Sequence, residues 1–304
     1  MITRKIVTAS ALMGATALAL TGCVATADDV ASGGTESGGT ESKGSLTIPA
    51  IAGWDEGIAS SELWKAVLEE QGYSVDIEYA DAAAVYAGLA AGDYDFFTDT
   101  WLPVTHESYF DKLGDNLDVL GTWNEDAQNH LAVNADAPID SIAELAEHAD
   151  EFGNTIVGTD PGAGLTTTTA DVVIPTYGLE GMEYSTSSSA AMLSELDAAM
   201  SAGDNIVVTL WEPHWAYDQY DLKNLEDPEN TYGDAETMQI TARTGFRDEQ
   251  PEVAGWLENF TMDLDHLQSL EAAMFASGEQ IDDYGPVVAE WIAANQDYVD
   301  GLTA

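Results

Sequence analysis

The segment AGDYDFFTDTWLP, residues 91–103, has the pattern of a helix end, a turn and a buried strand that stops near Trp101. A glycine after an apolar helical run is typical of a helix C-terminus, and the aromatic run that follows predicts a strand. The same order recurs in AGDNIVVTLWEP, residues 202–213, which carries Trp211. Glycine and tryptophan are nine residues apart in the first copy and eight in the second. This repeat indicates two lobes with a similar order of helix and strand.

A second pair of motifs precedes the first pair in each predicted lobe. AGWDEGIA, residues 52–59, and VGTDPGAG, residues 157–164, both contain Gly-x-Asp-x-Gly between a predicted strand and a predicted helix. The alternation of strands and helices predicts an α/β fold. In open α/β sheets, ligands bind outside the carboxyl ends of the strands. We therefore expect all four motifs to surround one cleft between the two lobes.

The motifs bring together six candidate binding residues, with no catalytic residue among them. They are Trp54, Trp101, Trp211, His106, Gly158 and Thr159. The three indole rings predict a box that attracts a quaternary ammonium, each face contributing roughly 0.5–2 kcal/mol. The two backbone amides of the glycine loop, at a predicted helix start, are candidate donors to a carboxylate. The histidine, expected one turn into a helix that begins at Pro103, adds a third donor. A cation box with a carboxylate clamp describes a small zwitterion as ligand.

The segments GWDEGIAS, WLPVTH, GTDPGAG and WEPHW resemble the glycine betaine-binding proteins of osmoprotectant ABC importers, the OpuAC/ProX-like family. The similarity covers essentially all of 46–299. It implies a two-lobed class II periplasmic-binding-protein-like fold that closes on its ligand. It also implies that the three tryptophans hold a trimethylammonium group and that the two amides and the histidine hold a carboxylate. The implied partners are glycine betaine or a similar zwitterion and the permease and ATPase subunits of the transporter.

Two acidic residues beside the cage leave the ligand open. Glu212 follows Trp211 directly, and Asp99 lies two residues before Trp101. If either side chain points inward, a bare cation such as choline is favoured over betaine. Proline betaine, carnitine, ectoine and dimethylsulfoniopropionate are also open. Two other classes remain: an enzyme that uses the acidic residues of WDEG as an acid/base pair, and a sensing surface lipoprotein without a transport role. No Ser-His-Asp spacing, phosphate loop or metal constellation supports an enzyme.

The N-terminus predicts export and lipid anchoring. Two basic residues precede an apolar stretch that ends in small residues before Cys23, which resembles a lipoprotein cleavage site. The expected location is the outer face of the cytoplasmic membrane, with lipid on this cysteine. A Gly/Ser/Thr/Glu-rich tether follows. The predicted division is a signal peptide at 1–22, a lipid-anchored linker at 23–44, lobe 1 at 45–133 plus 236–304, and lobe 2 at 134–235.

The composition argues against a polyanionic partner. There are 55 acidic and 8 basic residues, a formal net charge of −47. Such a charge argues against binding to nucleic acid or to anionic lipid headgroups. Repulsion of this size also predicts adaptation to high salt, where it is screened. We expect neither a metal nor a cofactor, because the histidines are scattered without metal-ligand spacing.

Overall fold

A computed structural model describes residues 43–275, 281 and 283–304. The predicted signal peptide, Cys23 and nearly all of the predicted linker therefore lie outside the described residues. The described strands are β1 Gly44–Ala50, β2 Tyr73–Tyr79, β3 Phe96–Leu102, β4 Leu117–Asn134, β5 Thr155–Gly158, β6 Glu183–Thr186, β7 Val207–Glu212, β8 Leu222–Asn224 and β9 Glu236–Arg243. The described helices are α1 Asp55–Glu70, α2 Ala82–Ala91, α3 Glu107–Leu113, α4 Gly164–Thr168, α5 Ile174–Tyr177, α6 Ser189–Ala202, α7 Ala216–Gln219, α8 Phe246–Glu249, α9 Pro251–Glu258, α10 Leu264–Phe275, α11 Gly285–Ala294 and α12 Gln296–Gly301. The predicted α/β class is confirmed.

The repeated Ala-Gly-Asp sequence ends a helix in both halves for the same physical reason. Helix α2 stops at Gly92 with φ 84°, and α6 stops at Gly203 with φ 73°. Glycine adopts this left-handed conformation without a steric penalty from Cβ. Both helices also begin with a side-chain cap: Asp81 accepts the N–H of Ala84, and a serine caps α6 in the same way. The chain then enters β3 or β7, which the apolar runs predicted.

The strands form a two-stranded sheet and a seven-stranded sheet, and β4 links the two parts of the larger one. Strands β1 and β2 pair in parallel, and the larger sheet has the order β3-β9-β4-β7-β5-β6 with β8 against β4. Strand β4 is 18 residues long. It pairs antiparallel with β9 as far as Ala127 and with β7 from Gln128 onward. Strand β4 therefore changes its pairing partner a few residues before position 133, where the first lobe boundary is predicted. The predicted lobe boundaries themselves stay a prediction.

Aromatic side chains of α1, β4 and the segment after α9 pack together in the core. Trp64 packs edge-on against Phe260, and Trp123 stacks on the same ring with centroids 5.4 Å apart. The indole of Trp123 also donates to the carbonyl of Thr98 at 2.6 Å. These two tryptophans are fully buried in the core and do not line the cleft.

Candidate ligand-binding site

A small cavity lies between the two halves of the chain, where the four sequence motifs meet. Its lining residues are Trp54, Glu56, Trp101, His106, Asn129, Thr159, Ala163, Leu165 and Trp211. Five of the six predicted binding residues are therefore in the wall. Gly158, the sixth, is the last residue of β5, directly before the wall residue Thr159. The wall is mostly apolar, with a few polar groups that face inward, as is typical of a small-molecule site.

The three tryptophans of the predicted cage are held by different elements. Trp54 is the residue before α1, Trp101 is near the end of β3, and Trp211 is near the end of β7. All three are buried, with 3–7 % of their surface exposed. The indole N–H of Trp101 donates to the Asp99 carboxylate at 2.7 Å, which fixes the ring orientation. Each Trp-x-Pro motif contains a cis proline peptide bond.

His106 presents a hydrogen-bond donor to the cavity. Its Nδ1 accepts the backbone N–H of Trp101 at 2.8 Å. Nδ1 therefore carries no proton, and the neutral ring has its N–H at Nε2. Nε2 is buried and forms no hydrogen bond within the described part of the chain. Burial lowers the pKa of this histidine to about 3, so the ring is neutral at physiological pH. The imidazole also stacks on Trp54, with centroids 5.5 Å apart.

The loop before His106 is anchored by a carboxylate from β9. Glu236 accepts the backbone N–H groups of Val104 and Thr105 at 2.7 and 2.8 Å, and the Thr105 hydroxyl donates to it as well. The histidine lies immediately before α3, which begins at Glu107. The expected helix start at Pro103 is wrong, because residues 103–106 form turns that are held by Glu236 and not by helical hydrogen bonds.

Two further amides lie later in the chain than the predicted pair Gly158 and Thr159. Gly158 packs on the Tyr184 ring, and the Thr159 N–H donates to the Thr209 hydroxyl at 3.2 Å. The N–H groups of Gly164 and Leu165, in the first turn of α4, donate to no group among the described residues. Unpaired amides at a helix start favour an anion. Both pairs of amides are close to the cavity, and the second pair is the freer one.

The two halves of the chain are in close contact around the cavity. A Cβ added to Gly164 would lie 1.9 Å from the Thr105 carbonyl oxygen, so only glycine fits there. The Tyr109 hydroxyl donates to the Gly162 carbonyl at 2.9 Å on the same side. On the other side, the Trp215 indole donates to Asp55. These contacts join the two halves of the chain around the cavity.

The two acidic residues singled out in the sequence do not line the cavity. Glu212 lies 3.2 Å from His130 Nε2 and accepts from Asn224 at 3.2 Å, and the close contact with the histidine lowers the pKa of its carboxyl. Asp99 lies behind the wall, where a Cβ on Gly57 would be 2.5 Å from its Oδ2. Burial raises the pKa of Asp99 to about 7, and the hydrogen bond from the Trp101 indole opposes the rise.

Four wall residues were not among the predicted binding residues: Glu56, Asn129, Ala163 and Leu165, although Glu56 is one of the two acids of WDEG considered for an enzyme. The Gly-x-Asp-x-Gly alignment directs attention to the shared aspartate, but the neighbouring Glu56 is the acid that faces the cavity. Asn129 lies within β4, and its amide donates to the Thr105 hydroxyl at 2.6 Å. The sequence marked Asn129 only as one polar residue in a segment that was not predicted to be a strand. The last two follow the glycine motif directly.

The described residues contain no cluster of three or more acidic, histidine or cysteine side chains arranged to hold a metal ion. Within the same residues, no helix has the length and apolar character needed to cross a bilayer.

The fold and the cleft define a class: a two-lobed, periplasmic-binding-protein-like receptor for a small solute. The family model described as the substrate binding domain of ABC-type glycine betaine transport systems matches residues 45–294, and the chain belongs to this family. The expected family resemblance and the two-lobed fold are both confirmed.

Individual relatives agree with this assignment. The glycine betaine/carnitine transport binding protein GbuC of Listeria monocytogenes serotype 1/2a (strain 10403S) is 35 % identical over 165 residues, 54 % of this chain and 52 % of GbuC. The chain thus matches about half the length of this curated relative. Lactococcal OpuAC, closed on glycine betaine, has a TM-score of 0.78 at 28 % identity, covering 86 % of this chain and 99 % of that one. A choline binding protein with choline has a TM-score of 0.77 at 25 % identity, covering 85 % and 91 %.

Proposed function

We propose that this protein is the extracytoplasmic receptor of an ABC importer and that it binds glycine betaine. The observation that carries the proposal is the cavity itself, in which Trp54, Trp101 and Trp211 face the same space as the donor at His106 Nε2. Three indole faces contribute about 2–6 kcal/mol to binding of a quaternary ammonium. Micromolar affinity needs about 8 kcal/mol, so the carboxylate end must contribute as well. A zwitterion of this length satisfies both ends.

The carboxylate is held by the neutral imidazole and by backbone amides of the glycine loop. The neutral histidine donates from Nε2, and the hydrogen bond is charge-assisted because the ligand's carboxylate carries a negative charge. Gly158 and Thr159 are the amides predicted from the sequence. The amides of Gly164 and Leu165 are favoured by the structure, because they have no other acceptor among the described residues. The ligand thus contacts both lobes and stabilises the closed form over the open one.

The transport role follows from the family and from the N-terminal sequence. Lipid on Cys23 would keep the receptor at the outer face of the cytoplasmic membrane, and the linker 23–44 would let it reach the permease. The partner ATPase subunit would hydrolyse ATP, and the receptor itself performs no catalysis. If neighbouring genes encode neither a permease nor an ATPase, the alternative of a sensing lipoprotein is preferred.

Choline or carnitine is the second candidate ligand. It is favoured by Glu56, a carboxyl that faces the cage and suits a cation. A choline complex of the same fold and the carnitine in the name of GbuC support this alternative. Choline would leave the carboxylate donors unpaired, at a cost of about 1–3 kcal/mol.

A calorimetric screen tests the proposal. Glycine betaine, proline betaine, carnitine, choline, ectoine and dimethylsulfoniopropionate are titrated into the protein at several salt concentrations. We expect glycine betaine to bind most tightly, in the micromolar range. If choline binds more tightly, the second candidate is correct. If none of the six binds at millimolar concentration, the proposed ligand class is wrong.

A further inference from the structure

Glu56 is an ionisable group within the wall of the tryptophan cage. It lies in the first turn of α1, two residues after Trp54, and only 2 % of its surface is exposed. Its Oε2 atom has no hydrogen-bond partner within the described part of the chain. Because Glu56 lines the same small cavity as the three tryptophans, a cationic group among the indoles would also be near this carboxyl.

The other side chains whose charge acts on the Glu56 carboxyl are acidic. Asp99 of β3 and Glu271 of α10 each oppose its ionisation, and both are completely buried. Asp55, the neighbour on α1, raises the pKa of Glu271. His106 is neutral. No lysine or arginine of the described residues lies within ion-pair distance of Glu56, Asp99 or Glu271.

The ionisation of Glu56 is therefore suppressed in the empty cavity. Burial, first, and then the charges of Asp99 and Glu271 raise the pKa of Glu56 well above its usual range. The backbone N–H of Glu56 and the indole N–H of Trp211 oppose this rise of the pKa. A permanent positive charge at van der Waals distance reverses the balance, because it stabilises the carboxylate in a site that excludes water.

We propose that Glu56 is the charge-selecting residue of the pocket: it releases its proton to solvent when a quaternary ammonium head enters the cage, and the carboxylate is then the counter-charge of that head. The proposal rests on the proposed function and adds a selection rule to it. A cation is bound in exchange for a proton, so affinity for betaine rises with pH, by up to tenfold per pH unit where the exchange is complete. A neutral head of the same shape gains nothing from the exchange.

The test is calorimetry on the full chain with two ligands that differ only in the charge of the head: glycine betaine and 3,3-dimethylbutanoate, in which carbon replaces the nitrogen. Titrations at pH 7 in phosphate and in Tris buffer give the number of protons released. We expect betaine to release a substantial fraction of one proton and 3,3-dimethylbutanoate to release none.

Glu56→Gln should abolish the proton release and weaken betaine binding about tenfold at pH 8, while any affinity for 3,3-dimethylbutanoate stays unchanged. Glu271→Gln is the matched control: it changes the same chemical group in the same buried cluster but outside the cavity wall, and it should retain proton release. If wild-type protein binds betaine without releasing protons, or if Glu56→Gln releases as many as wild type, the inference is wrong and the proposed function stands. If the wild type binds no quaternary ammonium compound, both are wrong.

Discussion

Replacing Trp101 with alanine removes one wall of the cage and should weaken glycine betaine binding roughly tenfold to a hundredfold. The lost cation–π face is worth about 0.5–2 kcal/mol. The face also covers about one methyl group of the ligand, which adds about 0.8 kcal/mol of apolar burial. Together these terms give about 1.3–2.8 kcal/mol, and each 1.4 kcal/mol is a factor of ten in affinity.

The same substitution also opens the core, so binding must be separated from stability. Trp101 is 3 % exposed, and deletion of a buried tryptophan side chain costs about 3–5 kcal/mol of unfolding free energy. Trp123→Ala is the matched control, because Trp123 is 2 % exposed, donates from its indole to a backbone carbonyl and lies outside the cavity wall. Both variants are checked by circular dichroism and thermal unfolding, and betaine affinity is measured by calorimetry. Equal affinities for Trp101→Ala and Trp123→Ala would refute the cage.

Four further predictions concern the clamp, the closure, the buried acids and the surface. His106→Ala should weaken betaine binding more than choline binding in calorimetry, because only betaine has a carboxylate for Nε2; equal losses would exclude that contact. Gly164→Ala should reduce betaine affinity at least tenfold and leave an open form in small-angle scattering, because its Cβ would meet the Thr105 carbonyl at 1.9 Å, whereas Gly162→Ala, with no atom within 4 Å, should behave as wild type. Asp99→Asn should stabilise the protein more at pH 8 than at pH 5 in denaturant unfolding: burial raises the pKa of this carboxyl from its usual 3.8 to about 7 in the folded state, so the wild type loses stability as pH rises between these two values. The melting temperature should rise between low and molar salt, because a net charge of −47 is then screened, and a flat profile would argue against salt adaptation.

The sequence predicted the residues whose positions follow from the geometry of the strands. Trp54, Trp101 and Trp211 lie next to the carboxyl ends of predicted strands, and such ends meet at one edge of each lobe. Their convergence therefore needed only the repeat and the α/β pattern. The helix ends at Gly92 and Gly203 were equally predictable, because their left-handed backbone favours glycine.

The rest of the site depends on contacts that no local pattern encodes. Strand β4 contains the polar run NEDAQN, residues 124–129, where alternation is lost and its pairing changes from β9 to β7. The tautomer of His106 follows from a hydrogen bond with the backbone of Trp101, and the loop that carries it is anchored by Glu236, 130 residues further along the chain. An acid in the first turn of a helix, such as Glu56, is common for reasons of helix polarity alone. Only the tertiary fold shows that this one faces the cage.

A crystal structure of the protein with glycine betaine tests the central claim most directly. The account predicts the trimethylammonium group between the three indole rings of Trp54, Trp101 and Trp211, and a carboxylate oxygen about 2.7–3.2 Å from His106 Nε2. A ligand whose ammonium head lies outside the three rings, or whose carboxylate is far from the histidine, would contradict the account.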